Sequence, residues 1–215
     1  MAAQDQALAT RNYKFTILKE QNTKKCRMCN ERGETVMHIL SKCPKLAQTE
    51  YKKRHDKVAT MVHWELCKQH SLPHSKNWYD HRAEDVLEND DVKLLWDFNI
   101  RTDRVIEARR PDIVLIDKKN KEAFVVDVAI PGDFRVKDKE LEKMEKYQDL
   151  IIEVQRMWDT KAKVIPIVIG ALGAENNLTD YLALLGVQTR KTDSMQQTAL
   201  FGSAHILKKV LSIPA

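Results

Sequence analysis

Residues 110 to 130 read RPDIVLIDKKNKEAFVVDVAI, and this stretch decides the fold. Two runs rich in β-branched residues, DIVLID and EAFVVDVAI, flank the polar turn KKNK, a pattern that predicts two neighbouring strands. Asp112 follows a proline at the start of the first run, and Asp127 lies between apolar residues in the second. Burying an ionised carboxylate there costs free energy unless a cation or strong donors compensate it, so Asp127 marks a candidate site.

Carboxylates on two adjacent strands can hold a magnesium ion. Such an ion polarises a phosphoryl oxygen and lowers the pKa of a bound water. We therefore expect a magnesium or manganese site at Asp112, Asp127 and Val128, with hydrolysis of a phosphodiester there. We expect this cation to offset the buried negative charge of Asp127. The alternatives are a turn-capping role for Asp112 and a structural partner for Asp127.

Sites of this kind usually add a lysine that stabilises the transition state. Ala129 stands where a strand lysine is expected, so the following helix is the candidate source. On a helical wheel Lys143 falls within the apolar stripe and Lys146 on its edge, which turns both towards the sheet. The alternative is a lysine that pairs with a nearby glutamate in solvent.

The segments around this pair of strands complete an α+β order, or mixed α/β, in which helices flank a central mixed sheet. The region 71–90 is predicted to be a loop because it has a proline, a charge cluster and no clear period. The predicted strands are 92–100, 104–110, 112–117, 122–130 and 162–173, and the predicted helices are 44–70, 136–158, 177–186 and 196–211.

Cys26, Cys29, His38 and Cys43 have the spacing C-x2-C-x8-H-x4-C. Three thiolates and one imidazole close a tetrahedral zinc shell without water, so a structural Zn²⁺ is predicted. Simple burial of the thiols is the alternative, although this polar segment offers little core. Cys67 lies outside the spacing and is interpreted as a core residue. Three histidines, His55, His63 and His81, are interpreted as helix or surface residues without a catalytic role.

Charge is uneven along the 215 residues: positions 1–57 hold 13 Lys and Arg against six Asp and Glu, and the rest is slightly acidic. The basic end is the stronger candidate for binding an anion such as nucleic acid, although solvated surface charge is the alternative. Whether the cysteine segment contacts nucleic acid or is a rigid spacer is open. The residues predicted to contact nucleic acid are Lys24, Lys25, Arg27, Arg109 and Arg110, with Lys42 and Lys45 also flanking the cysteines.

No apolar run in the sequence approaches the length of a membrane span, and the first residues lack the apolar stretch of a signal peptide. We therefore expect an intracellular protein without a membrane partner. Three segments are predicted: a basic arm and zinc knuckle at 1–44, a helix and linker that pack on the core at 45–90, and the catalytic core with C-terminal helices at 91–215.

Several motifs together resemble the C-terminal part of a non-LTR (LINE-type) retrotransposon polyprotein, which carries a restriction-like PD-(D/E)XK endonuclease behind its reverse transcriptase. The resemblance spans nearly the whole sequence. It implies a restriction-endonuclease-like core preceded by a CCHC zinc knuckle. The motifs are the knuckle at 26–43, YKKRHDKV at 51–58, WDFNIRTDRVIEARRPDIVLID at 96–117, DVAIP at 127–131, KMEKYQDL at 143–150 and PIVIGALG at 166–173.

In that family the aspartate of RPD, the aspartate of the next strand and the lysines of K-x-x-K-Y form the nuclease site. The resemblance places this site at Asp112, Asp127, Lys143 and Lys146, and Tyr147 matches the tyrosine of the motif. It implies an enzyme that nicks target DNA to prime reverse transcription, with element RNA and the reverse transcriptase region as partners. A non-catalytic DNA- or RNA-binding module and a structure-selective nuclease on branched DNA remain the alternatives.

Overall fold

Five strands form one sheet in chain order in the computed structural model, which describes residues 2–20 and 23–213. The first four strands pair antiparallel, and the fifth is parallel to the fourth. A parallel pair needs a long crossover, which two consecutive helices supply here. The strands are β1 (Val86–Glu88), β2 (Val92–Trp96), β3 (Ile113–Asp117), β4 (Glu122–Ala129) and β5 (Lys161–Val168).

Helices lie on both faces of the sheet, which confirms the predicted α+β class with a mixed sheet. The described helices are α1 (Arg11–Tyr13) continuing as a π-helix (Lys14–Leu18), α2 (Val36–Ser41), α3 (Pro44–Leu46) continuing through a π-helix (Ala47–Tyr51) into α4 (Lys52–Gln69), α5 (Val136–Lys146), α6 (Gln148–Trp158), α7 (Leu178–Leu184) and α8 (Lys191–Leu211), with short 3₁₀ turns at Trp78–Asp80 and Asp133–Arg135.

The side chains of β4 point alternately into two hydrophobic cores, one on each face of the sheet. Phe124 and Val126 face the core formed with α4, α7 and α8, whereas Ala123 and Val125 face the core formed with α6. Successive side chains of a strand point to opposite faces, so Asp127 shares the α6 side with Ala123 and Val125. That position turns a buried carboxylate towards the helical crossover.

The predicted strand at 104–110 is wrong. This segment is an irregular connection in which Val105 is 99% exposed. The preceding strand, β2, is already paired with β1 and β3, so the segment cannot pair beside it. The connection is fixed by Arg110, whose guanidinium binds the carboxylate of Asp97 at 2.7 and 2.8 Å.

Two other element predictions need correction. The predicted loop 71–90 contains β1, a short edge strand of which only Leu87 is buried. The predicted helix 136–158 is two helices, because α5 ends at Lys146 and α6 begins at Gln148. Neither proline nor glycine lies at this break. The residue between the helices, Tyr147, is fully buried, and its hydroxyl binds Asp127.

The cysteine segment shares a core with the C-terminal helix. Cys26 and Cys43 pack with Ile206 and Val210 of α8, so the first and last parts of the described chain support each other. Among the described helices, none has the length and apolar character needed to cross a membrane.

Candidate active site and zinc cluster

Asp127 lies in the middle of a group of donors from the α5–α6 junction. Its side chain is 5% exposed, the Lys143 ammonium contacts Oδ2, and the Tyr147 hydroxyl donates to Oδ1. Lys146 Nζ lies 3.7 Å from the same Oδ1 and donates to the Tyr147 oxygen at 2.8 Å. The structure therefore brings together four residues that the sequence singled out.

The negative charge of Asp127 is offset by protein groups, whereas the sequence predicted that it needs a metal cation. Lys143, itself only 14% exposed, offsets the charge of the carboxylate, and Tyr147 donates a hydrogen bond to Oδ1, so a bound metal is not the only group that compensates Asp127. Burial, followed by the negative charge of Asp127, raises the pKa of Tyr147. The phenol consequently remains a donor to Asp127 across the physiological pH range.

Asp112 precedes β3 and is bound from two other elements. Its Oδ2 accepts a hydrogen bond from the Val128 backbone N–H at 2.6 Å and lies 3.2 Å from His55 Nε2 on α4. Burial raises the pKa of Asp112, but His55, the Val128 N–H and the charge of Lys143 together hold that pKa below its usual range. Asp112 is therefore an ionised carboxylate.

His55 is a cation at this site. Burial lowers its pKa, but the carboxylates of Asp112 and Asp56 outweigh burial and raise the pKa to about 9. The same Nε2 lies 3.2 Å from the Val128 carbonyl oxygen. The imidazole thus occupies a position between a carboxylate and a carbonyl oxygen.

The oxygen atoms of this region fit a divalent cation. Ile113 of β3 pairs with Val126 of β4, which sets Asp112 beside Asp127 at the same end of the two strands. Two carboxylates and a backbone carbonyl, that of Val128, form the oxygen-rich set that magnesium and manganese prefer. The gathering of His55, Lys143 and Lys146 at these oxygens shows that the site stabilises positive charge.

A cavity of about 660 Å³ opens beside Asp112. Three basic side chains, Lys52, Arg82 and Arg110, line it together with three carboxylates, and Lys52 is paired with Asp56 at 2.6 Å. Two arginines were predicted to contact nucleic acid here. Arg110 lines the cavity, but its guanidinium is bound by Asp97, and Arg109 is exposed. The lining residues are Lys52, His55, Asp56, Thr60, His81, Arg82, Ala83, Trp96, Asp97, Arg110 and Asp112.

The four predicted zinc ligands, Cys26, Cys29, His38 and Cys43, come together as a buried cluster whose ligand atoms all lie within 4.8 Å of one another. Cys26 Sγ is 3.9 Å from Cys43 Sγ, and Cys29 Sγ is 3.3 Å from His38 Nε2. Zinc bonds of the usual length in a tetrahedron give separations of about 3.5 to 3.8 Å, so the cluster could hold a zinc ion.

Arg27 does not fit the predicted nucleic-acid contact. Its guanidinium binds the fully buried Glu34 at 2.7 and 2.9 Å and donates to the Ile213 carbonyl at 2.7 Å beyond the end of α8. The side chain is 5% exposed. Arg27 therefore joins the cysteine segment to the C-terminal helix, whereas Lys24 and Lys25 are exposed.

No family profile matches the sequence, and no curated protein matches it. One similar solved structure is described as that of an N-terminal domain of a reptarenavirus L protein. It is 14% identical, with 84% of each chain covered and a TM-score of 0.31. A likeness at this level identifies no function, so a functional assignment rests on the side chains of the site itself.

His55 is the residue of this site that sequence reasoning missed. It is 57 positions from Asp112 in the chain, on a helix whose local pattern indicates only amphipathic packing. A signal was present in the segment YKKRHDKV, one of the motifs that carry the retrotransposon resemblance. Nothing local, however, linked this histidine to Asp112, which is distant in the chain.

Proposed function

We propose that this protein is a metal-dependent DNA endonuclease that uses Asp112, Asp127 and the Val128 carbonyl to hold magnesium or manganese. The observation that carries the proposal is the convergence of Lys143, Lys146 and Tyr147 on Asp127, next to the ionised Asp112. A bound divalent cation supplies Lewis acidity and lowers the pKa of a water at the scissile phosphate.

The remaining residues have roles that follow from their contacts. Lys143 lies at the carboxylate with its charge largely desolvated, where it can stabilise negative charge that develops on a phosphoryl group. Tyr147 orients Asp127 by its hydrogen bond, and Lys146 is held in turn by the Tyr147 oxygen. His55 orients Asp112 from the other face of the sheet.

DNA is the substrate class that charge and resemblance favour. Lys52 and Arg82 border the cavity beside Asp112, and Lys24 and Lys25, next to Cys26, are exposed. Neutralised phosphates release counterions, which supplies affinity without sequence readout. The resemblance to non-LTR retrotransposon proteins extends the proposal to nicking of nuclear target DNA for target-primed reverse transcription, with element RNA and the reverse transcriptase region as partners. The knuckle is proposed to hold one structural Zn²⁺.

A cleavage assay on the purified chain tests this proposal. Supercoiled plasmid and a branched duplex are each incubated with magnesium, with manganese and with a chelator. We expect metal-dependent nicking of the plasmid and its loss in Asp112→Asn. Faster cleavage of the branched duplex would favour a structure-selective nuclease. DNA binding without cleavage in either metal would favour a non-catalytic binding module and overturn the enzymatic proposal.

A further inference from the structure

A second group of metal-binding side chains lies apart from both the nuclease site and the zinc knuckle. His63 and Cys67 are fully buried on α4, and they are one helical turn apart, so they project from the same face. His81 follows the short 3₁₀ turn at Trp78–Asp80 and is partly buried. Their ligand atoms all lie within 4.8 Å of one another.

The separations approach those of a zinc site. Cys67 Sγ lies 3.5 Å from His63 Nδ1, and tetrahedral zinc with bonds of the usual length gives about 3.5 Å between a sulfur and a nitrogen ligand. His63 Nδ1 lies 2.8 Å from His81 Nε2, about half an ångström closer than two zinc-bound nitrogens. The knuckle shows a smaller departure in the same direction, with 3.3 Å between Cys29 Sγ and His38 Nε2.

A hydrogen bond between the two imidazoles is the alternative to a metal. It would use one proton between His63 Nδ1 and His81 Nε2 and leave the buried thiol of Cys67 beside the same nitrogen. The other nitrogen, His63 Nε2, is buried and has no hydrogen-bond partner among the described residues. The ring is therefore oriented by the groups at Nδ1, edge-on against Trp96, so that Nδ1 meets both other ligand atoms.

We propose that His63, Cys67 and His81 bind a second zinc ion, which fastens the segment 71–85 to α4. Two imidazoles and one thiolate are ligands that zinc favours, and three protein ligands leave a fourth position for water. His81 lines the cavity that Asp112 also borders, so solvent reaches this side of the cluster. Glu84 lies close enough for its charge to act on Cys67 and His81, and it offsets the positive charge of the bound ion.

The proposed ion has a structural consequence for the cavity. The segment 71–85 connects α4 to β1 and supplies His81, Arg82 and Ala83 to the cavity wall. A bond from His81 to a metal held by α4 fixes this wall opposite Asp112. The inference is independent of the nuclease proposal, because it rests on different residues and predicts a metal whether or not DNA is cut.

Metal content of the full chain, purified without chelator and with zinc in the medium, is the primary test. We expect two zinc ions per chain in the wild type and one in His81→Ala. We also expect one in Cys26→Ser/Cys29→Ser and two in the control His74→Ala, which alters a histidine of the same segment outside the cluster. One zinc in the wild type, lost with the knuckle cysteines, would overturn the proposal.

A second measurement covers variants that do not fold. X-ray absorption of zinc in the wild type reports the average number of sulfur ligands per ion. The knuckle offers three sulfurs and the second cluster offers one, so two filled sites average two. An average of three sulfurs per zinc means that only the knuckle is filled and rejects the second site. Protease cleavage within 71–85 should also increase in His81→Ala relative to His74→Ala.

Discussion

Lys143 of α5 and Asp127 of β4 form an ion pair in which both side chains are largely buried. A lysine and an aspartate that neutralise each other inside a protein depend on each other, because either one alone is left as an uncompensated charge. Tyr147 adds a hydrogen bond to the same carboxylate. Stability and proposed catalysis are therefore coupled at Asp127, and variants must be compared by both measures.

Asp127→Ala is expected to lower the free energy of unfolding by about 3 kcal/mol, because it strands Lys143 and removes the acceptor of Tyr147. Nicking per folded molecule should fall at least about a thousandfold if Asp127 holds the metal. Melting temperature and nicking rate are measured on one sample. Glu122→Ala, which removes a carboxylate at the exposed end of the same strand, is the control. Activity that merely follows the folded fraction would contradict the role of Asp127.

Lys143→Ala is expected to lower stability, because it strands Asp127, and to slow nicking per folded molecule roughly a hundredfold while DNA affinity changes little, because the ammonium acts on developing charge. Lys146 is 41% exposed and 3.7 Å from Asp127, so Lys146→Ala should have the smaller effect. Single-turnover rates at saturating DNA make the comparison. Lys139→Ala is the matched control, since Lys139 pairs with Glu142 on the same helix. Equal rates in all three variants would remove Lys143 from the proposed mechanism.

Loss of the knuckle is expected to reach beyond residues 26–43. Cys26 and Cys43 pack against Ile206 and Val210, so Cys26→Ser/Cys29→Ser should also loosen the end of α8. Hydrogen exchange of both segments measures this effect. Ser41→Ala in α2, which alters no ligand, should leave the exchange unchanged. An undisturbed α8 in the double variant would show that the shared core does not depend on the cysteine cluster.

The exposed lysines and the buried arginine next to the knuckle should behave differently. Lys24→Ala/Lys25→Ala is expected to leave stability unchanged and to lower the salt dependence of DNA binding by up to about two released ions. Arg27→Ala should instead lower the free energy of unfolding by about 3 kcal/mol, because the buried Glu34 loses the guanidinium charge and keeps the backbone N–H groups of Arg11 and residue 27 as donors. Binding titrations at several salt concentrations and melting curves distinguish the two. A stable Arg27→Ala protein with a flattened salt slope would restore Arg27 as a phosphate contact.

Local pattern was sufficient for much of the architecture. The β-branched runs around Asp112 and Asp127 predicted β3 and β4, and the following apolar period predicted a helix with Lys143 turned towards the sheet. The cysteine spacing predicted the four members of one cluster. The strand and helix patterns repeat within a few residues, so the backbone period alone determines which of their side chains share a face.

Only the tertiary structure decided which distant residues meet. His55 reaches Asp112 because α4 packs across the sheet, and His81 reaches His63 and Cys67 because the segment after α4 folds back on it. The break at Tyr147 accompanies its hydrogen bond to a buried carboxylate, and the segment 104–110 follows a strand, β2, whose two sides are already paired. From the sequence alone came β3, β4, the helical character of the crossover and the four members of the cysteine cluster. Packing determined the partners of each charge, because desolvation and pairing act between atoms that the chain brings together only when it folds.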